Sequence, residues 1–172
     1  MGINMGWNYG LDKSTVCFKK KNRWLFKIDG VSADDGAAES LPPSKAARPS
    51  LSFKELEVSH LTETVYFPGK SEWKPVTLTL YDIKKNKNAV IEWIKKIYDA
   101  RNGTYLPSGE SDFKRNANLE MYDGCGNLME TWVYENVWPQ NVEFGDLDMS
   151  TGEIMYVEVT LRYDRAYVDD GT

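Results

Sequence analysis

The chain has 172 residues, 41% of them hydrophobic, which suits a single core in a single domain and leaves little room for two. It carries 26 Asp and Glu against 21 Lys and Arg, a net charge of -5, which argues against a surface built to grip a phosphate backbone through many cations. No stretch approaches the roughly 20 apolar residues of a membrane-spanning helix, and residues 1–8 have no basic flank leading into an apolar run, so a soluble, unsecreted protein is expected.

Residues 1–22 read as an N-terminal arm leading into the basic block Lys19-Lys20-Lys21-Asn22-Arg23, whose lysines suit the approach to an edge strand, where they discourage unwanted pairing, with a contact to an acidic neighbour in an assembly as the sharper alternative. The first strand signal follows, with Trp24, Phe26 and Ile28 alternating with Arg23, Leu25 and Lys27 before the turn pair Asp29-Gly30. Residues 30–50 are small and polar, with Pro42-Pro43 and Arg48-Pro49 and no hydrophobic period, and predict a long flexible loop. In the region 51–82, Thr64 to Phe67 before Pro68-Gly69 predicts one arm of a hairpin and Trp73 to Asp82 the other, with Val76, Leu78 and Leu80 on one face.

A single helix is predicted next, capped by Asn86 or Asn88, with Val90, Trp93, Ile94 and Ile97 on one stripe and Asn102-Gly103 as its stop. Two strands, Asn116 to Asp123 and Leu128 to Val137, flank the short connection Gly124-Cys125-Gly126-Asn127. A proline corner at Val137-Trp138-Pro139 leads to a long last strand in which Met155, Val157, Val159, Leu161 and Tyr163 share a face, and residues 165–172 read as a tail. Many strands, one helix and no strand-helix-strand repetition predict a mainly β fold, an antiparallel sandwich or barrel with a flanking α-helix.

Catalytic chemistry finds little to work with. His60 is the only histidine, and neither a nucleophile elbow nor a calcium-loop spacing surrounds it or the acidic pairs Asp34-Asp35 and Asp169-Asp170. Cys17 and Cys125 form no CxxC or CxxH pair, so no zinc site is indicated, and neither metal nor cofactor is expected. Free thiols are the plain reading of these cysteines, with a bond between neighbouring copies of the chain as the alternative. Six Trp and ten Tyr suggest base stacking at first, but most Trp sit within predicted elements, where packing is the stronger default.

Four segments, taken in order and spacing, resemble a known family. They are Tyr66-Phe67-Pro68-Gly69 leading into Trp73 to Asp82, the helix with Trp93, the run Val137-Trp138-Pro139-Gln140-Asn141-Val142, and Val157 to Asp164. Over roughly residues 24–164 the chain is similar to the tail tube proteins of contractile-tailed bacteriophages, which are related in fold to the type VI secretion tube protein. The resemblance implies a non-enzymatic virion protein forming hexameric rings that stack into a hollow tube inside the tail sheath. It also implies assembly in the host cytoplasm, contacts with baseplate and tail-terminator proteins, and a lumen holding the tape measure protein and DNA without tight binding, with no membrane contact. Region 51–82 and segment 30–50 are the best matches to stacking elements, and Tyr66, Phe67, Trp73, Trp138 and Asn141 are the candidate inter-subunit contacts, with Cys17 and Cys125 as a possible inter-subunit disulfide.

The physical rationale is that an open sheet edge is a pairing template which a cyclic head-to-tail contact can close. Net acidity suits a bore along which DNA slides without sticking. Competing readings are a secretion or extracellular contractile injection tube carrying protein cargo, then a monomeric ligand-binding barrel, and last an enzyme.

Overall fold

The alternations read from the sequence are the buried ladders of the fold. The structure, a computed structural model, describes residues 20–30, 43–106 and 113–169, and the backbone alone at 84–87. The strands are β1 (Trp24–Ile28), β2 (Pro43–Ala46), β3 (Ser50–His60), β4 (Glu63–Lys74), β5 (Val76–Tyr81), β6 (Tyr98–Asp99), β7 (Thr104–Tyr105), β8 (Arg115–Tyr122), β9 (Leu128–Glu143), β10 (Tyr156–Arg162) and β11 (Arg165–Asp169). The helix α1 (Lys84–Ile97) lies between β5 and β6.

Seven strands form one sheet in the order β1-β8-β9-β10-β5-β2, with β11 added beside β9, and all the pairings are antiparallel. The two ends of that order, β1 and β2, come into contact, so the sheet curls into a barrel with one seam that is unpaired among the described residues. Inside it, Phe26 and Ile28 from β1 meet Val76, Leu78 and Leu80 from β5 and Val157, Val159 and Leu161 from β10, all buried. The helix contributes Val90 and Trp93 to the same core, and Trp93 Nε1 donates to Phe113 O at 2.7 Å, fixing α1 to the chain that enters β8. The fold is mainly antiparallel β with one flanking helix, as the pattern predicts.

β9 holds the barrel together. Its first part pairs with β8 and β11, and from Trp138 onward it pairs with β10. At the change of partner Asn136 takes a φ of +57°, and Pro139, which lacks an N–H, is buried beyond it. The proline corner is therefore a bend within one strand of 16 residues, where the sequence had suggested a boundary.

Several boundaries differ from the sequence-based expectation, each for a local reason. Pro68-Gly69 is no hairpin turn. It lies inside β4 at a register shift, and the turn falls at Leu61-Thr62, where Leu61 has a φ of 52° and neither Gly nor Pro marks the spot. Trp73 to Asp82 is accordingly not the opposite arm: β4 ends at Lys74, Pro75 interrupts, and β5 joins the barrel beside β10 and β2. Pro43 to Ala46, expected as loop, is strand β2, while residues 31–42 lie outside the described residues. The helix starts at Lys84 after Ile83 without a side-chain cap bond, so Asn86 and Asn88 fall inside it. It stops at Ile97, and Asn102-Gly103 turns the small β6–β7 hairpin instead. The expected tail contains β11, which pairs with β9 through Arg165 to Asp169.

Candidate assembly interface

Among the described elements, the long β3–β4 hairpin buries little within its own chain. It runs from Ser50 paired with Lys74 to His60 paired with Glu63, and of its residues only Ser52, Gly69 and Trp73 are even half-buried. A two-stranded ribbon has no second layer of its own and is marginal in water without one. In its outer half Leu56 opposes Phe67 and Val58 opposes Val65, so four apolar side chains share one face, all exposed. Tyr66, opposite Glu57, belongs to the other face. Tyr66 and Phe67 thus point to opposite sides of one projecting arm.

Trp73 and Trp138, distant in sequence, meet at the hairpin's base. They line one cleft of about 530 Å3 together with Lys54, Arg162, Tyr163 and Asp164. From there a line of rings leads into the core: Trp73 lies 5.9 Å from Tyr163, Tyr163 stands edge-on to Tyr134 at 5.2 Å, and Tyr134 lies 5.7 Å from Phe26. Edge-to-face and tilted rings at such separations attract beyond simple area burial. The hairpin therefore projects from a root anchored in the barrel. Burial holds the Tyr134 and Tyr163 phenols neutral by pushing both up from the ordinary tyrosine value.

The remaining candidates are scattered. Asn141 is exposed on the outer part of β9 and donates through Nδ2 to Glu143 Oε1 at 2.9 Å. Cys125 is exposed in the β8–β9 turn, where Asp123 Oδ1 accepts from its backbone N–H at 2.7 Å; Cys17 lies outside the described residues. His60 sits exposed at the hairpin tip across from Glu63, and among the described residues no cluster of His, Cys, Asp and Glu could hold a metal ion. No helix among the described residues is long and apolar enough to cross a membrane.

Two further surface features lie outside the candidate contacts named from the sequence. One is a cleft at the barrel seam, lined by Lys20, Lys21, Trp24, Lys45, Arg48 and Met121 among others. The other is the loop of residues 144–155 between β9 and β10, where Leu147, Met149 and Ile154 stand exposed. The basic block before β1 gave a signal for the first, but its partners on β2 come about twenty residues later in a stretch without periodicity.

Comparison with known proteins decides the family. Residues 49–166, which include the hairpin, the helix and most of the barrel, match the family described as T4-like virus tail tube protein gp19. The chain belongs to that family. Among curated relatives of the tail tube proteins, the tail tube protein of Serratia phage KSP90 is 25% identical over 159 residues, covering 88% of this chain and 89% of its own. Solved structures share the fold. The anti-feeding prophage tube-terminating cap superposes with a TM-score of 0.72 at 19% identity, over 95% of this chain and 99% of that one. A chain of the PVC extracellular contractile injection system sheath-tube complex gives 0.66 at 19% identity, over 86% and 88%. Hcp1 of E. coli EAEC 042 gives 0.52 at 15% identity, over 87% and 92%. This tail tube chain thus shares its fold with the injection-system and Hcp proteins.

Proposed function

We propose that the chain is the inner tube subunit of a contractile phage tail, assembling with copies of itself as hexameric rings that stack into a conduit for genome DNA. The observation that carries this reading is the β3–β4 arm, which lies within the family-matched region and presents Leu56, Val58, Val65 and Phe67 to solvent although the core is complete without them. An exposed apolar face of this kind marks a contact with another molecule. Tyr66 on the opposite face, and the cleft of Trp73 and Trp138 at the root, are the further candidate contacts of ring stacking, with Asn141 on the outer part of β9. The function is one of shape and self-association, without a catalytic step. Its other partners would be the sheath around the tube, the baseplate and terminator at its ends, and the tape measure protein and DNA inside. A net charge of -5 is consistent with a bore that repels DNA weakly.

Because the fold is common to injection-system tubes, the cargo is decided elsewhere. The 25% identity to a phage tube protein across most of both chains favours DNA. Capsid and terminase genes beside this one would support the phage reading, and effector genes without a capsid would replace it with an injection apparatus. The direct test is electron microscopy of the purified chain. Stacked annuli are expected, and Leu56→Asp combined with Phe67→Asp should leave a folded protein that no longer stacks. A wild-type chain that remains monomeric at all concentrations would refute the proposal.

A further inference from the structure

We propose that the loop of residues 144–155 of one copy docks into the seam cleft between β1 and β2 of the next, forming a repeated head-to-tail contact; this rests on the tube reading above. The two surfaces are complementary in charge and in apolar character. The cleft, about 620 Å3 in volume, has Trp24, Ala46, Leu119 and Met121 as its apolar part, and among the described residues lining it the charged ones, Lys20, Lys21, Lys45 and Arg48, are all positive. Arg48 is held in place by Glu130 Oε1 at 2.8 Å, while Lys20, Lys21 and Lys45 stand exposed. The loop carries Asp146, Asp148 and Glu153 with no Lys or Arg, and its Leu147, Met149 and Ile154 are 84%, 108% and 67% exposed. Apolar side chains so fully exposed beside carboxylates fit a surface that is covered only on association.

The loop is also shaped in advance. Asp148 Oδ1 accepts from Ser150 N–H at 2.8 Å and from Ser150 O–H at 2.7 Å, closing a turn at its tip. At its base Asp82 N–H donates to Met155 O at 2.9 Å. A loop fixed in this way loses less freedom when it binds.

Topology sets the two surfaces apart. The loop joins β9 to β10, the central strands of the order β1-β8-β9-β10-β5-β2, and the cleft lies where the first and last of these strands come together. In a sheet curled on itself the centre lies opposite the seam. One copy therefore cannot satisfy its own cleft with its own loop, and each copy offers one of each to its neighbours, which is the requirement for a cyclic heterologous contact.

The test is a charge swap read by sedimentation and electron microscopy at low salt. Loop variant Asp146→Lys with Glu153→Lys spares the Asp148 turn, and cleft variant Lys21→Glu with Lys45→Glu spares Arg48. Each is expected to raise the concentration at which assemblies appear by about tenfold, and the chain carrying all four changes to return to within about threefold of wild type. Circular dichroism melts verify that the exposed substitutions leave the fold intact. Unchanged assembly in either variant overturns the proposal, as does a four-fold variant no better than its parents, which would mean that loop and cleft meet different partners. If wild type forms tubes and the variants do too, only the docking is lost; a wild type that never assembles removes the tube reading with it.

Discussion

Asn136 Nδ2 donates to Asp164 Oδ2 at 2.8 Å, tying the bend where β9 changes partners to the turn between β10 and β11. Asp164 also accepts from Lys114 Nζ at 3.1 Å, and its backbone N–H donates to Glu135 O at 3.0 Å. Asn136 meets two demands at once, a left-handed backbone and a side-chain donor. Asn136→Ala fails both and should cost about 1–2 kcal/mol in urea unfolding. Asn136→Gly restores the backbone freedom, loses only the bond, and should cost less. Equal losses in the two variants would show that the conformation contributes nothing.

A second expectation concerns Gly69. A Cβ there would stand 2.7 Å from Lys54 O, a backbone atom that cannot move without disturbing the β3–β4 register. Gly69→Ala should therefore lose hydrogen-exchange protection along the hairpin while the amides of Leu78 and Val159 in the barrel keep theirs. Uniform loss across the chain would mean that the hairpin and barrel unfold as one unit.

Tyr134 offers a substitution that should not destabilise. Its hydroxyl is buried without a hydrogen-bond partner among the described residues, and such a group costs roughly 1–3 kcal/mol of desolvation. Tyr134→Phe keeps the ring contacts with Phe26 and Tyr163 and should leave the melting temperature unchanged or raise it by a few degrees. Alkaline behaviour gives a second readout. Burial raises the folded-state pKa of this phenol above its ordinary value of 10.0, so the stability linked to it is complete below that pH and is lost as pH rises beyond it. The Phe variant should show a shallower alkaline decline; an equally steep one would exclude Tyr134 as its source.

At the acid end the sign reverses. Burial pushes the Asp164 carboxyl up, but hydrogen bonds from Lys114 and Asn136 outweigh it and hold the group below its ordinary 3.8. The stability tied to it is present above that value and lost as pH falls through the lowered one. Thermal melts taken from pH 7 downward should show Asp164→Asn with less acid sensitivity than wild type in this range. Parallel curves would remove Asp164 from the account.

The barrel was legible where one face is core. Phe26 with Ile28, Val76 with Leu78 and Leu80, and Val157 with Val159 and Leu161 alternate because the opposite faces meet water, and burial follows that period. The projecting hairpin was not legible in its register, since neither face is buried and alternation then carries no information. Pro68-Gly69 imitates a turn while serving a bulge, and the true turn at Leu61-Thr62 has no Gly or Pro. β11 was missed because a two-residue connection, Tyr163-Asp164, separates it from β10. Among the candidate contacts, aromatic identity alone did not separate exposed Tyr66 and Phe67 from Trp73, which is half-buried against the core. The seam cleft needs Lys21 and Lys45 brought together by pairings far apart in the chain, which local patterns do not encode.

A single covalent backbone runs through both halves of the barrel by way of β9, hydrogen-bonded to β8 and β11 before the bend and to β10 after it. The halves cannot slide past one another without rupturing ladders on both sides together. In a wall of the proposed kind, a thrust or twist applied at one end would cross each barrel as one unit and yield first at the projecting hairpins or at the mortar between copies.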